Sequence, residues 1–309
     1  MSNYHPIGSS ENEIEEKELE TGDKDRVANG LSRRAVLQTG GALGGGGLLG
    51  ITGIGVDTAT AASNEIHLDY DNYDSWDEVY NRSTGESSNI SLVSSPTYSG
   101  NTSVQIGVPE DETWGISTGY DFDDDLTELN GRIRFALNSN WEMSGTDTCR
   151  LWNCAIAQGT YSSGCDGAPD GWDGWSNRMY VTSQGTSDDG PYNLLSYTYH
   201  MDQNESCGDE ELIDNVSIEP GVWYEFEYYV HVNTVDGGQG GDPNSDGIVR
   251  YWLDGQQIHE ETNRRFTVDH INNGIQTNGP VMHYGGSETA PRSLYAYYDD
   301  HSMALNGTF

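Results

Sequence analysis

Lysine is almost missing from this chain. Of its 309 residues only Lys17 and Lys24 are lysines, both near the start. From residue 63 onward nine arginines face 41 aspartates and glutamates, a formal charge of −32. No lysine in that region can serve as a base, a Schiff-base former or a carboxylate clamp. The acidic excess argues against nucleic acid and anionic membranes as partners, because like charges repel. It fits a surface adapted to high salt, where dense carboxylates keep a protein hydrated. No long window places apolar residues at i, i+3, i+4 and i+7, so helical packing is not indicated. There is no His-Glu-x-x-His, and no phosphate-cradling loop.

What is present begins with an export pattern. Residues 1–31 are polar and acidic. Ser32-Arg33-Arg34 follows, then a Gly-rich, weakly apolar stretch, then the small residues Ala59-Thr60-Ala61. This reads as a twin-arginine export signal with its cleavage site. Residues 1–62 are expected to be removed and residues 63–309 to work outside the cell as one domain. A membrane anchor is the rival reading of the stretch. Roughly 20 residues so rich in glycine span a bilayer only marginally. No second apolar run follows, so no membrane insertion of the exported chain is expected.

Short alternating runs dominate the rest. "RIRFAL" (132–137), "RMYVTS" (178–183), "LLSYTYH" (194–200), "WYEFEYYVHVNT" (223–234), "IVRYWLDGQQIHEE" (248–261) and "SLYAYYDDHSM" (293–303) read as strands. Asp254-Gly255 marks a hairpin turn. Such strands predict an all-β fold, two antiparallel sheets stacked as a sandwich or jelly roll. Trp172, Trp175, Trp223 and Trp252 read first as core, with sugar stacking as the alternative.

Four cysteines, Cys149, Cys154, Cys165 and Cys207, suggest disulfides in an exported protein, with three connectivities open. They bracket a segment with few strand signals, expected to be a stapled loop presenting Arg150, Trp152 and Asn153. A zinc site is the rival, without any close Cys-x-x-Cys pair. "DPNSDG" (242–247) sets Asp242, Asn244 and Asp246 at calcium-loop spacing, but the twelfth position is Leu253. A structural calcium or a polar hairpin turn would both suit it, and no cofactor is required. Six Asn-x-Ser/Thr sequons, at Asn81, Asn89, Asn101, Asn204, Asn215 and Asn306, are compatible with surface glycosylation.

Polar chemistry recurs at period two, the spacing that puts side chains on one face of a strand. Ser176 and Arg178 share a face, as do Tyr197 and Tyr199. His200 follows that pair. His231 and Asn233 share another face and are further candidates for a cleft. These groups suit β-elimination on a uronic acid polymer. Arg spreads the charge that develops beside a carboxylate. A base removes the C5 proton and an acid protonates the leaving oxygen. Tyrosine can do either, provided a neighbouring Arg lowers its pKa from about 10.

The segments "TWGISTGYDF", "CRLWNCAIAQG", "GWSNRMYV", "SYTYH", "GVWYEFEYYVHVNT", "DGIVRYWLDGQQI" and "MHYGGS", in this order, carry a family resemblance. The chain resembles the jelly-roll polysaccharide lyases of families fourteen and twenty, the alginate and glucuronan lyase type, from about residue 105 to 303. The resemblance implies a sheet that forms a cleft for an acidic polysaccharide. It implies acid/base roles for Tyr197 and Tyr199, with Ser176 and Arg178 beside them. The alginate lyases carry an essential lysine where this chain has Arg150-Leu151-Trp152-Asn153. Arg150 then stands as carboxylate neutraliser, with Asn153 as a substrate contact. Arg is a much poorer proton acceptor than Lys. Two other classes remain open: a non-catalytic carbohydrate-binding or surface sandwich, and a glycoside hydrolase with a carboxylate pair.

Overall fold

A computed structural model describes residues 64–145, 147–285 and 288–309. The acidic N-region and the Arg33-Arg34 signal lie outside the described residues. In chain order the strands are β1 (Asn64–Leu68), β2 (Asn81–Gly85), β3 (Ile90–Val93), β4 (Ser103–Val108), β5 (Trp114–Leu126) and β6 (Glu128–Leu137). There follow β7 (Thr148–Ala157), β8 (Trp175–Thr182), β9 (Tyr192–Tyr199), β10 (Asp209–Ile218), β11 (Trp223–His231) and β12 (Val235–Asp236). The last are β13 (Asp242–Pro243), β14 (Gly247–Leu253), β15 (Gln256–Arg264), β16 (Ile275–Tyr284) and β17 (Leu294–Leu305). Among the described residues no helix is long and apolar enough to cross a membrane.

Two antiparallel sheets face each other. The first runs β15-β14-β11-β6-β17-β4-β3, with β1 also on β17. The second runs β10-β9-β8-β7-β16-β5-β2. This is the expected β-sandwich of jelly-roll type. Alternation sets the faces. On β11, Phe226, Tyr228 and Val230 are buried while Glu225, Glu227 and Tyr229 are less so. The β14–β15 hairpin turns at Asp254 and Gly255, whose φ values of 49° and 78° are those a two-residue turn needs.

The core is aromatic and includes phenols, so it must satisfy hydroxyls as well as fill space. Tyr228, Tyr251 and Tyr298 of the first sheet are fully buried. The Tyr228 hydroxyl accepts from Asn278 Nδ2 of β16 at 2.5 Å. Tyr251 donates to Asn177 Oδ1 of β8 at 2.7 Å. Tyr298 donates to the Leu151 carbonyl of β7 at 2.7 Å. Each bond crosses from one sheet to the other. An unmade one would leave a buried polar group at a cost of about 1–3 kcal/mol.

Three expectations need correction. The segment around Arg150 is no stapled loop but β7, in the middle of the second sheet. All its residues but Thr148 are buried, and two register shifts break the alternation, so no period-two pattern shows. A register shift between Arg150 and Trp152 turns Trp152 into the core, against Tyr298 and His301. A disulfide is present as expected, Cys165–Cys207, but Cys149 and Cys154 do not pair and are buried as free thiols. Burial pushes both free thiols far up from the ordinary range. Of Trp172, Trp175, Trp223 and Trp252, only Trp175 is fully buried, and Trp172 is 52% exposed.

Gly131 on β6 exists to admit a ring. A Cβ there would sit 2.1 Å from Tyr228 Cζ. The ring cannot retreat freely because its hydroxyl is held by Asn278. Gly131→Ala should therefore destabilise the fold by about 1–3 kcal/mol, the usual cost of overpacking. Thermal melts followed by circular dichroism check this, and equal midpoints would refute it.

Candidate active site

The inner faces of β7, β8 and β16 are fixed by the phenol bonds, and their outer faces carry the polar residues. Antiparallel register arranges these in rows, since directly paired residues point the same way. One row runs Trp114, His283, Arg150, Tyr180 across β5, β16, β7 and β8. The next runs Gly279, Asn153, Arg178, Tyr197, Glu210 from β16 to β10. The third runs Asp121, Thr277, Ile156, Ser176, Tyr199 from β5 to β9. The structure thus brings together Arg150, Asn153, Ser176, Arg178, Tyr197 and Tyr199.

The contacts are close. His283 stacks on Trp114 with centroids 4.2 Å apart. Arg150 Nε donates to the Tyr180 hydroxyl at 3.0 Å, and its guanidinium lies 5.7 Å from the Trp114 ring. Tyr180 is 5.4 Å from Tyr197, and Tyr197 is 5.5 Å from Tyr199, centroid to centroid. The Arg178 guanidinium lies 5.5 Å from the Tyr199 ring.

A roof covers one end. Arg178 Nη2 and Ser176 Oγ both donate to the Ser162 carbonyl, at 2.6 and 2.7 Å. The Cys165 N–H donates to the Tyr199 hydroxyl at 3.3 Å, and the Gly208 N–H to the Tyr197 hydroxyl at 3.1 Å. The Cys165–Cys207 disulfide joins the two covering segments. Tyr199 is only 2% exposed, whereas Tyr197 and His283 are partly open. Asn153 Oδ1 and Arg178 Nε are buried with no hydrogen-bond partner.

Burial tunes the site in two directions. It holds the Tyr197 phenol well above the ordinary value of 10.0, with Tyr199 and Tyr180 adding to the rise. It also raises Tyr199, although Arg178 pulls the other way. The expected lowering of a tyrosine pKa by Arg is therefore outweighed by desolvation, and both phenols keep their protons at neutral pH. Burial, then Arg150 and Arg178, holds the His283 imidazole well below 6.5, so it is neutral. Sequence reasoning missed Trp114, Tyr180 and His283. Tyr180 was legible, two residues beyond Arg178 on the same strand face.

Other candidates fall elsewhere. His200 turns to the inner side, fully buried, with Nε2 2.8 Å from Asp209 and 3.2 Å from Arg264. His231 lies on β11 of the first sheet, away from the rows. Asn233 is buried in a turn, where its Oδ1 accepts from the Phe266 and Thr267 N–H groups. Asp246 accepts from Thr234, and Asn244 donates to Thr234 and Asp236, so these two side chains tie a hairpin turn together. Asp242 pairs with Asp236 in the β12–β13 ladder. Among the described residues no group of three or more His, Cys, Asp or Glu could hold a metal ion. Gly115-Ile116-Ser117-Thr118-Gly119 has the spacing of a nucleophile elbow. It lies inside β5 with no helix after it, so it is not one.

No protein-family model matches the sequence, and no curated protein matches it significantly. Solved structures do match. A variant of alginate lyase Aly36B in complex with alginate tetrasaccharide is similar at TM-score 0.55 and 19% identity, over 78% of this chain and 97% of that one. Alginate lyase vAL-1 from Chlorella virus is similar at TM-score 0.53 and 15% identity, over 68% and 87% of the two chains. The marine PL-14 alginate lyase from Aplysia kurodai gives 0.53 and 15%, over 75% and 90%. At these identities the likeness establishes architecture: the chain folds as the jelly-roll sandwich that these alginate lyases share.

Proposed function

We propose that this chain is an exported polysaccharide lyase that cuts a uronate polymer by β-elimination on the outer face of the second sheet. The supporting observation is the convergence of Arg150 and Arg178 with two protonated phenols and a neutral imidazole. Arg150, with Arg178 behind it, neutralises the carboxylate beside C5. His283 accepts the C5 proton. The electron pair of that C–H bond forms the C4–C5 double bond as the C4–O bond breaks. Tyr197, the more open phenol, gives its proton to the leaving oxygen. The Gly208 N–H then bonds the resulting phenolate, and solvent returns the proton from His283 to Tyr197. Alginate, bound by the structural neighbour, is the first polymer to try.

The rows do not suit a hydrolase. Their only carboxylates are Asp121 on β5 and Glu210 on β10, at opposite edges. Five strand spacings separate them, more than about 20 Å. Glycosidase pairs work at roughly 5–9.5 Å. A purely binding sandwich has no need for the converging arginines and phenols.

Ultraviolet absorbance decides the reaction class, because only a lyase product carries a conjugated double bond. Alginate or a glucuronan should give rising absorbance, and reducing ends without absorbance would refute the lyase. Arg150→Ala should cut the rate by about a hundredfold or more, the scale of losing one charge-stabilising donor. Its circular dichroism should be unchanged. Retained activity would move the neutralising role elsewhere.

The pH profile follows from the two shifts. The base must be unprotonated, so the rate should climb with pH through an acid limb below the ordinary imidazole value of 6.5. The acid must be protonated, so the rate should fall only above the ordinary phenol value of 10.0. His283→Gln should lose the acid limb together with most of the rate. An unchanged acid limb in that variant would remove His283 from the mechanism.

Salt gives a further test. Enzyme and polyuronate repel each other. The Debye length is about 30 Å at 0.01 M salt and about 3 Å at 1 M. Salt also relieves the chain's self-repulsion. Activity on the charged polymer should rise steeply from dilute buffer to molar salt, at salts where circular dichroism shows the fold intact. The neutral methyl ester should respond less. A maximum in dilute buffer would overturn the proposed anionic substrate or the salt-adapted surface.

A further inference from the structure

The outer face of the first sheet carries several ion pairs. Arg132 meets Glu227, Arg134 meets Glu225 and Arg250 meets Glu260. One end differs. There a groove of about 450 Å³ is lined by Pro96, Asn138, Asn140, Trp223, Tyr295 and Tyr297 among others, none of them charged. Register builds its floor. Trp223 of β11 and Tyr297 of β17 both pair with Ala136 of β6. The two rings therefore stand on either side of a small residue, about 10 Å apart at two strand spacings. Ala136 is 2% exposed and forms the bottom. Tyr98, 47% exposed, extends the rim, with its ring 6.0 Å from Trp223 and under the Arg134 guanidinium at 4.5 Å. Its loop is anchored, since the Tyr98 and Ser99 N–H groups donate to Asp299. Asn138 ties the far end by accepting from the Tyr295 N–H and donating to Asn140 Oδ1.

Solvent-facing rings on a sheet whose neighbouring rows are ionic mark a binding surface. Flat rings flanking a narrow floor, with amides at one end, match a pyranose chain. Its C–H faces stack on rings and its hydroxyls bond amides. In a chain of formal charge −36, a groove with no carboxylate in its lining is where a polyanion meets the least repulsion. We infer that Trp223, Tyr297 and Ala136 form a second polysaccharide-binding groove on the face opposite the cleft. It takes a stretch of the uronate polymer, an occupant that rests on the lyase reading. A polymer held at both faces stays near the cleft between cuts, which raises its effective concentration there.

The test separates the groove from the cleft. Tyr197→Phe, in the otherwise native chain, provides a non-cutting background for calorimetric titration with long alginate in molar salt. Adding Trp223→Ala and Tyr297→Ala should weaken binding by about tenfold or more, as for buried aromatic anchors. Adding Trp223→Phe instead, which keeps a ring, should recover most of it. In the cutting enzyme the alanine pair should lower the rate on the polymer but not on alginate tetrasaccharide. Unchanged polymer affinity in the alanine pair, with melts showing both proteins folded, would overturn the groove. Binding of hydroxyethylcellulose with no binding of alginate would overturn the uronate occupant. Weakened binding in the alanine pair, together with no cutting of any uronate polymer by the chain that keeps Tyr197, would sink the lyase reading and leave the groove standing.

Discussion

The candidate active site depends on hydrogen bonds made on the far side of its own sheet. Tyr228, Tyr251 and Tyr298 reach across the core to β16, β8 and β7. Those strands carry His283, Arg178 and Arg150 on their other face. A phenol inside a sandwich fills volume like phenylalanine, but it must also find a partner, and a misplaced strand would leave it unmet. The strands are thereby held in one register. The rows of outward side chains follow from that register without further machinery.

A second economy lies in how one cause acts on unlike groups. Most side chains in the band between Trp114 and Tyr199 are buried. Desolvation disfavours whichever form is charged. It keeps phenols protonated and an imidazole unprotonated, which is an acid and a base from a single environment. Arginine as a residue type stays charged in proteins, whereas lysine can lose its proton on burial. Arginine in place of lysine is thus coherent with so buried a site. In the proposed mechanism the proton-accepting duty that lysine could have shared falls to His283.

The sequence made some of this legible. Period-two spacing placed Ser176 with Arg178 and Tyr197 with Tyr199, and Asp254-Gly255 fixed a hairpin. Alternation reports only that two residues share a face. It does not say which sheet or which side, so His231 reads as a cleft residue although β11 belongs to the other sheet, and Asn233 although it is buried in the turn beyond. β7 was obscured because its two register shifts put Arg150 and Asn153 on one face at a spacing of three, which no period-two pattern announces. His283 and Trp114 lie far apart in sequence and meet only through the β5–β16 pairing, which no local pattern announces.

The Cys165–Cys207 bond closes a ring of chain spanning 42 residues. β8, β9 and the turn between them all lie within that ring, and with them Ser176, Arg178, Tyr197 and Tyr199. The β8–β9 connection includes the exposed Ser187, Asp188 and Asp189, the kind of tip where proteases cut. A single cut there would produce two polypeptides without releasing either. The disulfide would tether the halves, and the ladder from Ser176↔Tyr199 to Thr182↔Asn193 would keep them in register. On a reducing gel such a nicked molecule would run as two fragments, while in an oxidising medium it would remain one particle with its polar rows assembled.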